Sequence, residues 1–343
     1  MNRASLFLVS LLFALSGATR AQAPAEQFEA LRAADLRLAT IGERLVVANA
    51  PLCARKKHAT GLVLHDLAQY APEARGAARA HFGFAAPIAV AAVVPGSPAA
   101  IAGVRADDSL VSIDGAPTGV EMPTAEGRPT TDRALKIDEA IDRAGSDALV
   151  TLGLIRGGAP LTVAVRPVDA CKTRFELTLG DGFNAEADGR IVQISARMFE
   201  SFRDEDEAAA ILAHELAHNV LRHRDRLDAA GVKRGMFEAF GRAVGYIRRT
   251  EIEADLVGVA LALNAGYDPA AAARFWRWFG PKHNDSIFLG RTHPKWSTRA
   301  TLIDREVAAL ATLSVRPVRP PLLATADQPL SNDWRALTEA RLS

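Results

Sequence analysis

The sequence predicts an α+β protein: a mostly helical core with a small edge sheet, interrupted by a β-rich unit. Three observations carry this. Apolar residues recur at helical spacing over Ala25–Val47, and short strands separated by turns run from Ile88 to Val168. The run His214-Glu215-Leu216-Ala217-His218 then sets two histidines four residues apart inside Asp204–His223, where the apolar pattern is helical again.

On an α-helix, residues four apart face the same way. His214 and His218 can therefore reach one metal ion, and Glu215, about 100° round, can reach a water beside it. Ala209, Leu212, Leu216 and Val220 fall on the opposite side, which reads as a core stripe backing a face of ligands. A catalytic zinc takes three protein ligands and keeps one position open. Glu251-Ile252-Glu253-Ala254-Asp255 offers the third. Glu251 and Asp255 share a face, whereas Glu253, about 200° from Glu251, looks toward solvent or another contact. Glu251 is thus the expected third ligand. Asp255 is the expected acceptor for the outer N–H of a ligating histidine. The chemistry implied is hydrolysis with one Zn2+ per chain and Glu215 as general base.

HExxH followed by ExxxD, here HELAH and EIEAD, resembles the gluzincin metallopeptidases of the HtpX and CAAX-prenyl-protease type. Thr292-His293-Pro294 with Arg299 is similar to a later signature of that family. The resemblance covers about 25–52 and 172–312. It implies a zincin-type zinc endopeptidase fold with His293 near the metal cleft, where it or Arg299 would stabilise the oxyanion. In some periplasmic relatives a histidine at this point approaches the zinc and blocks it.

Met1–Ala23 reads as a secretory signal: Arg3, an apolar run from Leu6 to Leu15, then Ala21-Gln22-Ala23 as a small-x-small cleavage site. That run is too short to span a bilayer, and no later segment is long and apolar enough. The expectation is an exported, periplasmic chain without a membrane anchor. Its formal charge of +1 includes Arg3 and Arg20, so the mature chain carries +1 − 2 = −1 and offers nothing to a nucleic acid.

Phe28, Leu31, Leu36, Leu38, Ile41 and Leu45 give the first helix its apolar contacts, and Leu38…Ile41-Gly42-Glu43-Arg44-Leu45 resembles the first helix of the peptidase fold. This places 24–52 with the catalytic core. Between 53 and 171 lies a different unit. Ile88–Val94 and Ser109–Asp114 read as strands, Thr131–Ala144 as a helix, and Ala148–Arg156 with Leu161–Val168 as a hairpin across Gly157-Gly158. PGSPAAIAG…DDSLVSIDG resembles a PDZ domain of the bacterial protease-associated kind. Such a domain adds a peptide as an extra strand and caps its terminal carboxylate. Thr60-Gly61-Leu62-Val63 and Phe82-Gly83-Phe84 are both candidates for the capping loop.

Cys53 and Cys171 are the only cysteines and bracket the PDZ-like unit. In an oxidising compartment they would form one disulfide stapling its neck. After the neck, Thr173–Leu179 is a strand. Phe183–Gly189 with Ile191–Ile194 resembles a family strand bordering the cleft, so Asn184 and Ala185 either pair with substrate backbone or serve only a turn. Arg222–Thr250, with several glycines, Met236, Phe237 and Phe240, reads as a lid or a membrane-facing segment. His223, nine residues past His214, falls about 180° round the helix and is excluded as a ligand. Residues 172–312 complete the peptidase. The Pro-rich tail 313–343 is expected to be extended, with a short helix near Trp334–Arg341.

These readings converge on a zinc-dependent endopeptidase for misfolded or unassembled envelope proteins, its PDZ-like unit binding or gating protein and peptide substrates. Peripheral contact with the membrane or with envelope assembly machinery stays open. The alternative is an envelope chaperone or assembly factor whose protease activity is low or silenced.

Overall fold

In the computed structural model the described residues are 24–119, 129–180, 182–232, 242–283 and 293–342. The expected signal, Met1–Ala23, lies outside them, as do 233–241 of the expected lid.

Helix α1 (Pro24–Ala48) leads through a 3-10 turn to a β-rich unit. This contains β1 (Lys56–Ala59), β2 (Leu62–Asp66), α2 (Arg75–Phe82), β3 (Ile88–Val93), α3 (Pro98–Ile101), β4 (Ser109–Ile113) and β5 (Ala116–Pro117). Helix α4 (Asp132–Ala144), the hairpin β6 (Val150–Arg156) and β7 (Ala159–Val165), and β8 (Val168–Cys171) complete it. The chain continues with β9 (Arg174–Thr178), β10 (Ala185–Ala187), β11 (Ile191–Ser195) and α5 (Ala196–Glu200). Helices α6 (Glu205–Val220), α7 (His223–Ala229), α8 (Arg242–Asn264), α9 (Ala271–His283), α10 (Trp296–Ala311) and α11 (Trp334–Leu342) follow. The architecture is α+β.

The inserted sheet has strand order β2-β3-β4-β6-β7 with β5 beside β4, its ladders antiparallel. Gly157 and Gly158 turn the β6–β7 hairpin with φ of 55° and 83°, a region that costs a residue with a β-carbon. Leu110, Leu152, Leu154 and Val165 from the sheet and Ile137 and Ile141 from α4 form its core. The unit is joined to the rest by a two-stranded ribbon in which β1 pairs antiparallel with β8. At the base of this ribbon Cys53 and Cys171 are bonded, with Cα atoms 5.4 Å apart.

The helical core buries Leu38, Ile41 and Leu45 of α1 against Val192, Ile194, Leu212, Leu216 and Val257. A small sheet of order β10-β11-β9 lies at its edge, with β11 parallel to β9 and antiparallel to β10. Asp204 starts α6 by accepting from the Glu207 backbone N–H at 2.8 Å, and Glu205, Asp206 and Glu207 complement the helix dipole.

Burial sharpens two expectations and corrects a third. On α6 the face that carries His214 is as buried as the core stripe: Glu207 through Ala217 are all buried, because β10, α8 and α9 pack round the helix. Of the two alternatives for Glu253, solvent or another contact, the structure takes the second, and the residue is fully buried. The tail is not merely extended, since Val318, Leu323 and Leu330 are buried and α11 packs on α8. No helix among the described residues is long and apolar enough to cross a membrane.

Candidate metal centre

Helices α6 and α8 cross so closely that a β-carbon on Gly258 would lie 3.0 Å from the backbone of His214. That approach brings Glu251, two turns earlier on α8, over the HExxH face. His214, His218 and Glu251 each offer a ligand atom, and these atoms lie within 4.8 Å of one another. His214 Nε2 is 3.2 Å from His218 Nε2, and the Glu251 oxygens stand 3.5 Å and 3.6 Å from the two rings. Two imidazole nitrogens and a carboxylate, converging and largely buried, are a donor set suited to a divalent metal such as zinc.

Each of the two histidines is held from behind. The Asp255 carboxylate sits 3.0 Å from His214 Nδ1, and Arg299, itself 3.3 Å from that nitrogen, clamps the carboxylate through two bonds of 2.6 Å and 2.7 Å. Arg299 is itself buried and lies over the Trp276 ring at 3.8 Å. The Arg299 guanidinium thus binds Asp255 while its other end stands 3.8 Å from Glu251. His293 is placed on the cleft side, its Nε2 3.5 Å from Glu251 Oε2 and its side chain 32 % exposed.

Behind His218 lies a relay the sequence reading did not find. Helix α6 stops at Leu221, Arg222 takes a left-handed φ of 55°, and α7 starts at once. The break swings His223 back, so that its Nδ1 lies 2.9 Å from His218 Nδ1 and its Nε2 3.2 Å from Glu253 Oε2. Glu253 also accepts from Arg226 at 2.8 Å and Arg249 at 2.6 Å. With His218 Nε2 turned to the ligand cluster, its Nδ1–H donates to His223 Nδ1, and His223 Nε2–H donates to Glu253. Burial opposes charge on Glu253, yet His223, Arg249 and Arg226 hold its carboxyl down at about 2. Burial lowers His223, which favours the neutral ring this chain needs.

Burial, reinforced by the Glu251 charge and opposed by His214, pushes the Glu215 carboxyl up to about 7. On the protein's own charges it is therefore poised to take and return a proton near neutrality. Strand β10 packs against α6, the helix that carries Glu215. Strand β10 pairs with β11 on one side and, among the described residues, has no strand on the other. Asn184 is exposed; its backbone N–H donates to Ser195 Oγ and its carbonyl accepts from Ser195 N–H. Buried Asn219, next to His218, binds Gly189 N–H through Oδ1 and Thr173 through Nδ2, tying α6 to the edge sheet.

The fold and the site have the arrangement of a gluzincin-type metallopeptidase core, with HExxH on α6 and its acidic partner on α8. Residues 179–235 and 226–307 match Peptidase family M48, and residues 89–126 match a PDZ domain. Over these stretches the chain resembles the M48-family gluzincins and a PDZ domain. It is 28 % identical over 137 residues to the mitochondrial metalloendopeptidase OMA1 of Arabidopsis thaliana, covering 34 % of this chain and 27 % of that protein. It is 29 % identical over 123 residues to the protein of the same name in Schizosaccharomyces pombe, covering 30 % of this chain and 36 % of that one. The chain thus spans about a third or less of the length of these curated relatives.

Proposed function

We propose that this chain is a zinc-dependent endopeptidase acting on misfolded or unassembled proteins of the cell envelope, with its PDZ-like unit binding or gating them. The observation that carries the reading is the convergence of His214, His218 and Glu251 beside Glu215. A zinc ion held by these three residues would polarise a scissile carbonyl and lower the pKa of a bound water from about 16 toward about 7.

The chain's own residues do the rest. Glu215 takes the proton as water attacks and returns it to the leaving amine. Asp255 and the His223–Glu253 pair fix the tautomers of the two histidines, so each keeps a bare Nε2 facing the cluster. Arg299 positions Asp255, leaving His293 as the side chain placed to meet charge on the substrate oxygen. An extended substrate adding to the free edge of β10, near Asn184 and Ala185, would pair through its backbone, which tolerates varied sequences. The disulfide favours an exported, oxidising location.

Glu215→Gln tests the core of this. The variant should retain one zinc per chain by elemental analysis and lose casein cleavage by about 100-fold or more. A Gln variant cleaving at the parent rate sinks the assignment. A holding or assembly role with silenced proteolysis is favoured by one observation, the approach of His293 to Glu251. Faster cleavage by His293→Ala than by the parent would support it.

A further inference from the structure

A cavity of about 620 Å³ lies away from the metal centre, between the PDZ-like unit and the catalytic core. One wall is β2 and α4; the other is α1 and β9. Strand β2 ends its sheet and pairs with β3 alone among the described residues, so its outer edge is free to accept an extended peptide. A PDZ domain caps a terminal carboxylate at the turn opening that strand, which here is Thr60-Gly61. The other candidate loop is excluded, because Phe82 and Phe84 are buried in a separate cluster with Leu67 and Ala78.

The turn is already faced by a carboxylate. Glu43 of α1 reaches it, with Oε1 3.0 Å from where a β-carbon on Gly61 would stand. Asp35 and Asp138 line the same cavity, against Lys57; Arg174 is paired with its neighbour Glu176. Burial raises the Glu43 carboxyl above its usual range, with Lys57 opposing and Asp138 adding to the rise. A second carboxylate arriving at Gly61 would be repelled, and an ammonium or guanidinium would be attracted.

We propose that this groove binds an extended internal segment of a polypeptide carrying a Lys or Arg at the Gly61 end, and that Glu43 turns chain termini away. The inference rests on the endopeptidase reading only in taking the bound segment to be substrate. Binding itself is read separately from turnover. A protease that engages its substrate by the middle can act on a chain whose ends are folded or held elsewhere.

The test uses fluorescence anisotropy with the full chain carrying Glu215→Gln and three labelled peptides of one apolar sequence. The first has a central Lys and an amidated end; the second has norleucine for the Lys; the third has norleucine and a free C-terminal carboxylate. The Lys peptide should bind about 5-fold tighter than either of the others. Adding Glu43→Gln should abolish that preference and make the free-carboxylate peptide bind tighter than its amide. Asp138→Asn, on the other wall, should weaken the Lys preference without creating one for carboxylate. The proposal is overturned if the free-carboxylate peptide binds tightest while Glu43 is present, if Glu43→Gln leaves the order unchanged, or if no peptide binds. Casein cleavage by the parent enzyme, measured alongside, shows whether the endopeptidase reading stands or falls on its own.

Discussion

At the scale of single residues, the three side chains that converge were legible and their supports were only half so. His214, His218 and Glu251 follow from the period of the helix, and Asp255 from its sharing a face with Glu251. The same geometry failed for His223, because it assumes one unbroken helix. Arg222, at φ 55°, ends that helix and resets the direction of everything after it. Glu253 was missed for a linked reason: its partners Arg226 and His223 lie beyond the break. A signal was present, since a carboxylate in the middle of the metal helix needs cationic or imidazole partners if it is buried. The relay makes a prediction. His223→Ala should weaken zinc affinity about 10-fold to 100-fold, measured by competition with a chromogenic chelator, because His218 loses the acceptor that fixes its tautomer. Unchanged affinity would mean that packing alone orients the His218 ring.

At the scale of elements, the site depends on how closely two helices approach. Gly258 lets α8 lie against the α6 backbone at His214, and that contact sets the height of Glu251 over the histidines. Adding bulk at this point must move one helix, since the opposing atoms are backbone and cannot rotate away. Gly258→Val should cost about 1–3 kcal/mol in denaturant unfolding and lower zinc affinity as well, by lifting Glu251 off the cluster. If the variant bound zinc as the parent does, α8 would owe its position to other contacts. Strands β3, β4, β6 and β7 and helix α4 of the PDZ-like unit were readable to within a few residues from alternation and turn glycines, whereas β1, β2, α2 and β8 were not. The tail was not, because its prolines signal irregularity and do not reveal that Leu323 and Leu330 are buried or that α11 packs on α8.

At the scale of the whole molecule, the PDZ-like unit is fastened at two places. The first is the β1–β8 ribbon with the Cys53–Cys171 bond across a sequence separation of 118. The second is the N-terminal half of α1, where Phe28 packs among Tyr70, His81 and Phe82, and Arg32 binds Asp107 at 2.6 Å. The pairing of the cysteines was legible from their number and from their bracketing the insert; the α1 fastening was not, because it depends on tertiary contacts that periodicity does not carry. Reducing the disulfide should lower stability to denaturant by about 2–5 kcal/mol, compared between oxidised protein and a Cys53→Ser, Cys171→Ser variant. Equal midpoints would show that α1 alone holds the arrangement. Helix α1 also bears on the order in which the molecule can assemble. Its residues Leu38, Ile41 and Leu45 bury against Val192, Ile194 and Leu212, which are made roughly 150 residues later. At a synthesis rate of about 5–20 residues per second, the helix waits on the order of 10 to 30 s for its partners, while the whole inserted unit emerges in between. During that interval its apolar stripe is open to holdases or to wrong neighbours, and the earliest docking surface on offer is the insert's own aromatic cluster around Phe82.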